Sequence, residues 1–169
     1  MPAKISDILS DTEEIKQLAK KVSAQRELFF VGRGLDYFVA LEGSLKLKEI
    51  TYINSQAYPA GELKHGTLAL IEEGIFVIAL VTQPNIAEKS ISNVEEANAR
   101  GAYAIGVTTD ENLGLMTSVN ECLTVPEAAP LLMPLLSVVP LQLLAYYTGV
   151  ERGFDVDKPR NLAKSVTVE

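Results

Sequence analysis

Apolar runs alternating with stretches at helical spacing constrain this chain more than any other feature. Leu28-Phe29-Phe30-Val31 leads into Gly32-Arg33-Gly34, and residues 75–81 and 102–107 are similar runs further on. Runs this continuous have no polar face, so they suit strands of a parallel sheet buried on both sides. A fourth, shorter strand is expected at 121–125. Helical spacing fills the intervals: Ile15, Leu18 and Val22 within 11–25, then Ala40, Leu41, Leu45 and Leu47 within 35–53, then 84–100, closed by Gly101, and finally 130–150. Asp11 can cap the first of these helices, and Glu13 and Glu14 suit its first turn. Residues 55–66, with Pro59 and Gly61, read as a polar connection. Residues 68–71 read either as a helix end or as a bridge into the next strand. Four strands alternating with helices predict right-handed crossovers and a parallel sheet covered on both faces. Ligands in such sheets sit beyond the C-terminal strand ends, which directs attention to the loops after Val31, Val81 and Val107.

Composition narrows the function. The 169 residues fit one domain, and the net charge of −7 argues against non-specific nucleic-acid binding, which needs a basic face. It also disfavours an anionic substrate unless Lys and Arg cluster locally. Cys122 and His65 are the single cysteine and single histidine, so neither a disulfide within the chain nor a metal site is expected, and none of the motifs calls for a cofactor. A reducing, cytoplasmic compartment follows from the same count. Residues 1–26 are polar and carry no signal-peptide core. Residues 128–147 lack formal charge over membrane-span length, but Pro130, Pro134 and Pro140 interrupt them, and a buried helix at a subunit contact is the expectation rather than a membrane span.

Four groups of residues could carry chemistry. Gly32-Arg33-Gly34 permits close backbone approach to a ligand at a helix N-terminus. Tyr37 stands where a third glycine would complete a dinucleotide fingerprint, so a plain strand-to-helix turn serves equally. Glu42, Lys46 and Glu49 share one helical stripe. By spacing alone this is a solvated ion pair, although a carboxylate beside an ammonium is also a proton-transfer arrangement. His65 lies in the Gly-rich, charged stretch Glu62-Leu63-Lys64-His65-Gly66, where a structural and a catalytic role remain equally open. The tail from Asp157 to Ser165, with Lys158, Arg160 and Lys164, is the strongest local positive cluster in an acidic chain.

Three stretches go further. Residues 40–50 (ALEGSLKLKEI), 60–66 (AGELKHG) and 155–169 (DVDKPRNLAKSVTVE) resemble, in order, the isomerase region of the glutamine–fructose-6-phosphate aminotransferase family. The resemblance extends over nearly the whole chain from Leu28. It implies a three-layer αβα, doubly wound parallel sheet of the flavodoxin-like sugar isomerase (SIS) class, with 1–150 as the second isomerase subdomain and 151–169 as a tail covering the sugar site. It implies that Glu49 shuttles the proton between C1 and C2 of the open-chain sugar and that His65 opens the ring in a neighbouring subunit's site. Lys46 stands beside the glutamate and Lys164 at the sugar carbonyl, while Gly32, Arg33, Gly34 and Ala163 are placed in substrate binding. The implied partners are a sugar phosphate, fructose 6-phosphate or glucosamine 6-phosphate, and a second copy of the chain. One departure limits the likeness. The family's Ser/Thr-rich phosphate loop belongs to a first isomerase subdomain, and the equivalent place here reads Val81-Thr82-Gln83-Pro84-Asn85, where Pro84 removes a backbone donor. Without that subdomain and the glutaminase domain, the chain is expected to be part of a longer protein and inactive alone. A non-catalytic sugar-phosphate sensor and a stand-alone aldose–ketose isomerase are the alternatives.

Overall fold

A computed structural model describes residues 1–110 and 112–162. Five strands form one wholly parallel sheet: β1 (Glu27–Gly32), β2 (Asn54–Pro59), β3 (Phe76–Val81), β4 (Tyr103–Thr109) and β5 (Glu121–Val125), in the order β2-β1-β3-β4-β5. The helices are α1 (Pro2–Ser10), α2 (Glu13–Ser23), α3 (Leu35–Thr51), α4 (Ala87–Asn98), α5 (Leu113–Ser118) and α6 (Met133–Glu151). Alternation within the strands divides the core. Leu28 and Phe30 of β1, Ile78 and Leu80 of β3 and Ile105 of β4 pack with α2, α3 and α6. Phe29, Val31, Val77, Ala79 and Ala104 face the other way, against Leu63, Val94, Ala97 and Leu115. Side chains that alternate with a period of two, both sets apolar, make three layers. Each fully buried Leu, Ile or Phe contributes about 1.5–3 kcal/mol relative to exposure.

The expected fold class holds, with one correction. The sheet has five strands, because β2 occupies the first part of the stretch expected to be a loop. Edge position explains why it is hard to see: β2 pairs only with β1, so Asn54, Gln56 and a terminal Pro59 are tolerated. Two short helices also add to the expected order. α1 is tied down by Ile8, which packs against Met133 and Leu136, and Asn112 caps α5 by accepting from the Leu115 N–H at 3.2 Å. The first of the expected helices begins two residues late, yet Asp11 still accepts from the Glu13 N–H at 3.1 Å.

Helix α6 is long and apolar enough to cross a membrane by length and composition, but it packs against α2 and α3 as a core helix. Contact between α3 and α6 depends on Gly43. A Cβ there would lie 2.6 Å from Leu141 Cδ1 and 3.1 Å from Phe30 Cε1. Gly43→Val forces those side chains apart, so it is expected to cost about 1–3 kcal/mol in urea unfolding. An unchanged midpoint would show that the helix pair tolerates separation.

Candidate functional site

Helix α3 leaves β1 at the C-terminal edge of the sheet and runs back across the sheet before β2 begins. Seventeen residues at about 1.5 Å each make roughly 25 Å, the depth of the sheet. Its two ends therefore lie at opposite sheet edges. Asp36 belongs to the first and Lys46 with Glu49 to the second.

Near the far end, Lys46 Nζ donates to Glu49 Oε2 at 2.6 Å and lies 3.8 Å from Glu42 Oε1. All three side chains are partly exposed. The Glu49 hydrogen bond, aided by the charge of both carboxylates, holds the Lys46 ammonium above the usual lysine range against a smaller opposing effect of burial. Lys46 therefore stays cationic, a fixed positive charge beside a carboxylate that solvent and ligand can reach. The loops after β1, β3 and β4 were where sequence pointed for ligands, yet this pair lies at the other edge.

His65 does not join it. It ends a 3-10 turn, Ala60–His65, that follows the C-terminal end of β2, and its side chain is exposed. Buried Leu63 anchors this turn, and Lys64 pairs with Glu96 of α4 at 3.1 Å. β2 itself, six residues at about 3.3 Å, separates the edge of Glu49 from the edge of His65 by roughly 20 Å.

Gly32, Arg33 and Gly34 share the edge of His65, since Gly32 pairs in register with Pro59. Gly32 is required by the turn: a Cβ would sit 2.6 Å from the Asp36 carbonyl carbon. Gly34 has φ 56° and starts α3. Arg33 donates from Nε and Nη2 to Asn93 Oδ1, at 3.2 and 2.8 Å, and its guanidinium lies over Gly61, where a Cβ would come within 2.8 Å. It borders an open cleft of about 320 Å³ shared with Lys64, Lys89, Glu88 and Glu96. Lys164 and Ala163 lie outside the described residues.

Sequence reasoning missed what fills the topological switch point. Strand growth reverses between β1 and β3, and ligands commonly bind in the crevice there. Asp36, 1% exposed, occupies it. The Thr82 N–H donates to Oδ2 at 2.8 Å, and the Thr82 hydroxyl donates to Oδ1 at 2.5 Å. Burial raises the Asp36 carboxyl above its ordinary range, while the hydrogen bonds from Thr82 and the Gln83 backbone oppose the shift. A carboxyl group held here stands where an anionic ligand would need donors. A second cleft, about 290 Å³, is lined by Asp7, Asp11, Glu14 and Asp110 and is equally unsuited to phosphate. Cys122 is no nucleophile, because burial, with Glu14 and Asp110 nearby, pushes its thiol up to about 11.

The SIS domain family matches residues 21–152. The chain is 56% identical over its whole length to the glutamine–fructose-6-phosphate aminotransferase (isomerizing) of Caldanaerobacter subterraneus subsp. tengcongensis, and 54% to that of Clostridium tetani. It spans 28% of the length of either. The C-terminal domain of glucosamine-fructose-6-phosphate aminotransferase from Francisella tularensis superposes with a TM-score of 0.86 at 37% identity, over 92% of this chain and 44% of that one.

Titration offers a test of the switch-point clamp. A folded-state carboxyl that titrates above its unfolded value stabilises the fold below the unfolded pKa, and that stabilisation is lost as pH rises through the folded pKa. Asp36→Asn keeps an acceptor for the Thr82 N–H and supplies an amide donor for its hydroxyl. Relative to the unaltered chain, the variant should therefore gain stability as pH rises above about 4 in urea titrations. A flat difference would mean that Asp36 is not protonated more readily in the fold.

Proposed function

This chain belongs to the SIS-domain family, and we propose that it supplies the proton-transfer half of an aminotransferase site converting fructose 6-phosphate and glutamine to glucosamine 6-phosphate and glutamate. The observation that carries the proposal is the 2.6 Å pair of Lys46 and Glu49 on the accessible end of α3, within a chain alike over its full length to such enzymes. Ring-opened fructose 6-phosphate condenses with ammonia at C2 to an imine. Glu49 takes the C1 proton while the imine nitrogen gains one, giving the enamine, and Glu49 then returns its proton to C2 as the C1 hydroxyl loses one, leaving the C1 aldehyde of the amino sugar. One carboxylate can perform both transfers because they lie on one face of the sugar. Lys46 and Lys164 stabilise negative charge developing on oxygen.

His65 opens the ring in the site of a second copy. Its distance from Glu49 within one chain supports that division, and so does an apolar stripe on α3, Phe38, Leu41 and Leu45, left exposed for a partner surface. The homodimer acts in the cytoplasm. Phosphate is held outside this chain, in the additional length that the relatives possess, since acidic groups occupy the crevice at Asp36 and the cleft at Asp110. For the same reason the isolated chain is expected to be inactive.

Glu49→Gln in the full-length protein tests the central role. The amide preserves size and accepts from Lys46 but is not a base. Glucosamine 6-phosphate formation should fall by about 10²–10⁴-fold while glutamine hydrolysis persists. Unaltered amino-sugar formation would exclude Glu49 as the proton carrier and favour a sensing module instead.

A further inference from the structure

We propose that Tyr52 is a positioning residue that ties the C-terminal segment to the helix bearing Lys46 and Glu49, and so fixes where the tail approaches the sugar. The claim rests on the proton-transfer role of Glu49. Its starting observation is backbone conformation. Tyr52 ends α3 with φ 60° and ψ 19°. Left-handed geometry at a helix C-terminus is ordinarily taken by glycine, and a bulky side chain there is strained. Among the described residues only Tyr52 and Asn161 are non-glycine residues with positive φ. Strain of this kind persists only where surrounding contacts over-determine it.

Those contacts run to the tail. The Tyr52 hydroxyl accepts from the Arg160 backbone N–H at 2.8 Å, and the Arg160 guanidinium lies 4.0 Å from the centre of the Tyr52 ring. The Phe154 ring packs against Tyr52 with centroids 4.8 Å apart. Arg152 donates to the Thr51 carbonyl at 2.8 Å and lies over Phe154 at 5.6 Å. Gly149 permits the approach, since a Cβ there would come 2.7 Å from Val156 Cγ1 and 3.2 Å from the Ile50 carbonyl oxygen. Residues 152–160 thus converge on the last turn of α3, and Asn161, with φ 62°, turns the chain immediately after the anchor. A glycine at 52 would relieve the backbone but would lose the contacts to residues 154 and 160, so the tyrosine side chain serves the tail rather than the core.

Chain length connects the anchor to chemistry. Glu49 lies three residues before Tyr52, about 4.5 Å along the helix axis. Holding Arg160 on Tyr52 keeps the described part of the tail beside the helix end that carries Glu49. Releasing Arg160 would leave Glu49 intact while residues 153–162 lose their hold on the end of α3.

Hydrogen exchange on the 169-residue chain reads the anchor directly. Tyr52→Ala should accelerate exchange in residues 153–162 by about tenfold, and Tyr52→Phe, which keeps the ring but not the hydroxyl, by less, with α6 and the rest of α3 within about twofold. Unchanged exchange in both variants overturns the anchor. In the full-length protein Tyr52→Ala should raise the KM for fructose 6-phosphate by about tenfold and leave glutamine hydrolysis intact, with Tyr52→Phe intermediate. Faster exchange without a change in KM, when Glu49→Gln is inactive, overturns the positioning role. A fully active Glu49→Gln protein would remove the proton-transfer role itself, and the positioning claim with it, so the two failures are told apart by the glutamate variant.

Discussion

The packing of α3 between the sheet and α6 is the contact on which the rest depends. Val39, Ala40, Leu47 and Thr51 are buried along one side of the helix, and Gly43 lets Leu141 close the gap to α6. Because that packing holds the helix across the whole depth of the sheet, its two ends serve different purposes. At one end Asp36 crosses to Thr82 and closes the crevice where a doubly wound sheet ordinarily takes its ligand. At the other end Lys46 and Glu49 stand paired and accessible, with the C-terminal segment pinned one turn further on by Tyr52. The fold therefore closes its customary crevice with Asp36 and presents an accessible ion pair at the opposite edge.

This arrangement makes the chain a contributor rather than a container. A carboxylate, an ammonium and an anchored tail can complete a sugar site, but acidic groups at Asp36 and around Asp110 make those two places unsuited to holding a phosphate. His65 is held beyond the far end of β2 by Leu63 and the Lys64–Glu96 pair, at the sheet edge opposite Glu49. Strand direction and helix length set these two groups at opposite edges of the sheet within one chain.

Much of this was legible in the sequence, for physical reasons. Continuous apolar runs mark strands buried on both faces, so β1, β3 and β4 stood out, and the shorter β5 followed from the alternation. β2 did not, because an edge strand that pairs on one side accepts Asn54, Gln56 and Pro59. Helical spacing put Lys46 and Glu49 side by side but could not say at which sheet edge they lie, since that depends on where α3 starts. The Asp36–Thr82 clamp joins residues 46 apart through strand order, and the conformation of Tyr52 departs from the residue preference of its position. Neither has a local signature. Resemblance to the aminotransferase family assigned roles to Glu49 and His65 that spacing left open, and strand geometry then sets the two residues at opposite sheet edges.

The most direct test mixes two inactive full-length proteins, one carrying Glu49→Gln and the other His65→Ala, under conditions that let subunits exchange. If Glu49 of one copy and His65 of another serve the same sugar, half of the randomly formed dimers are mixed and each has one intact site, so amino-sugar formation should recover to about a quarter of the unaltered rate. No recovery, with subunit exchange verified, would place both residues in the same chain's site and contradict the separation of the two ends of this sheet.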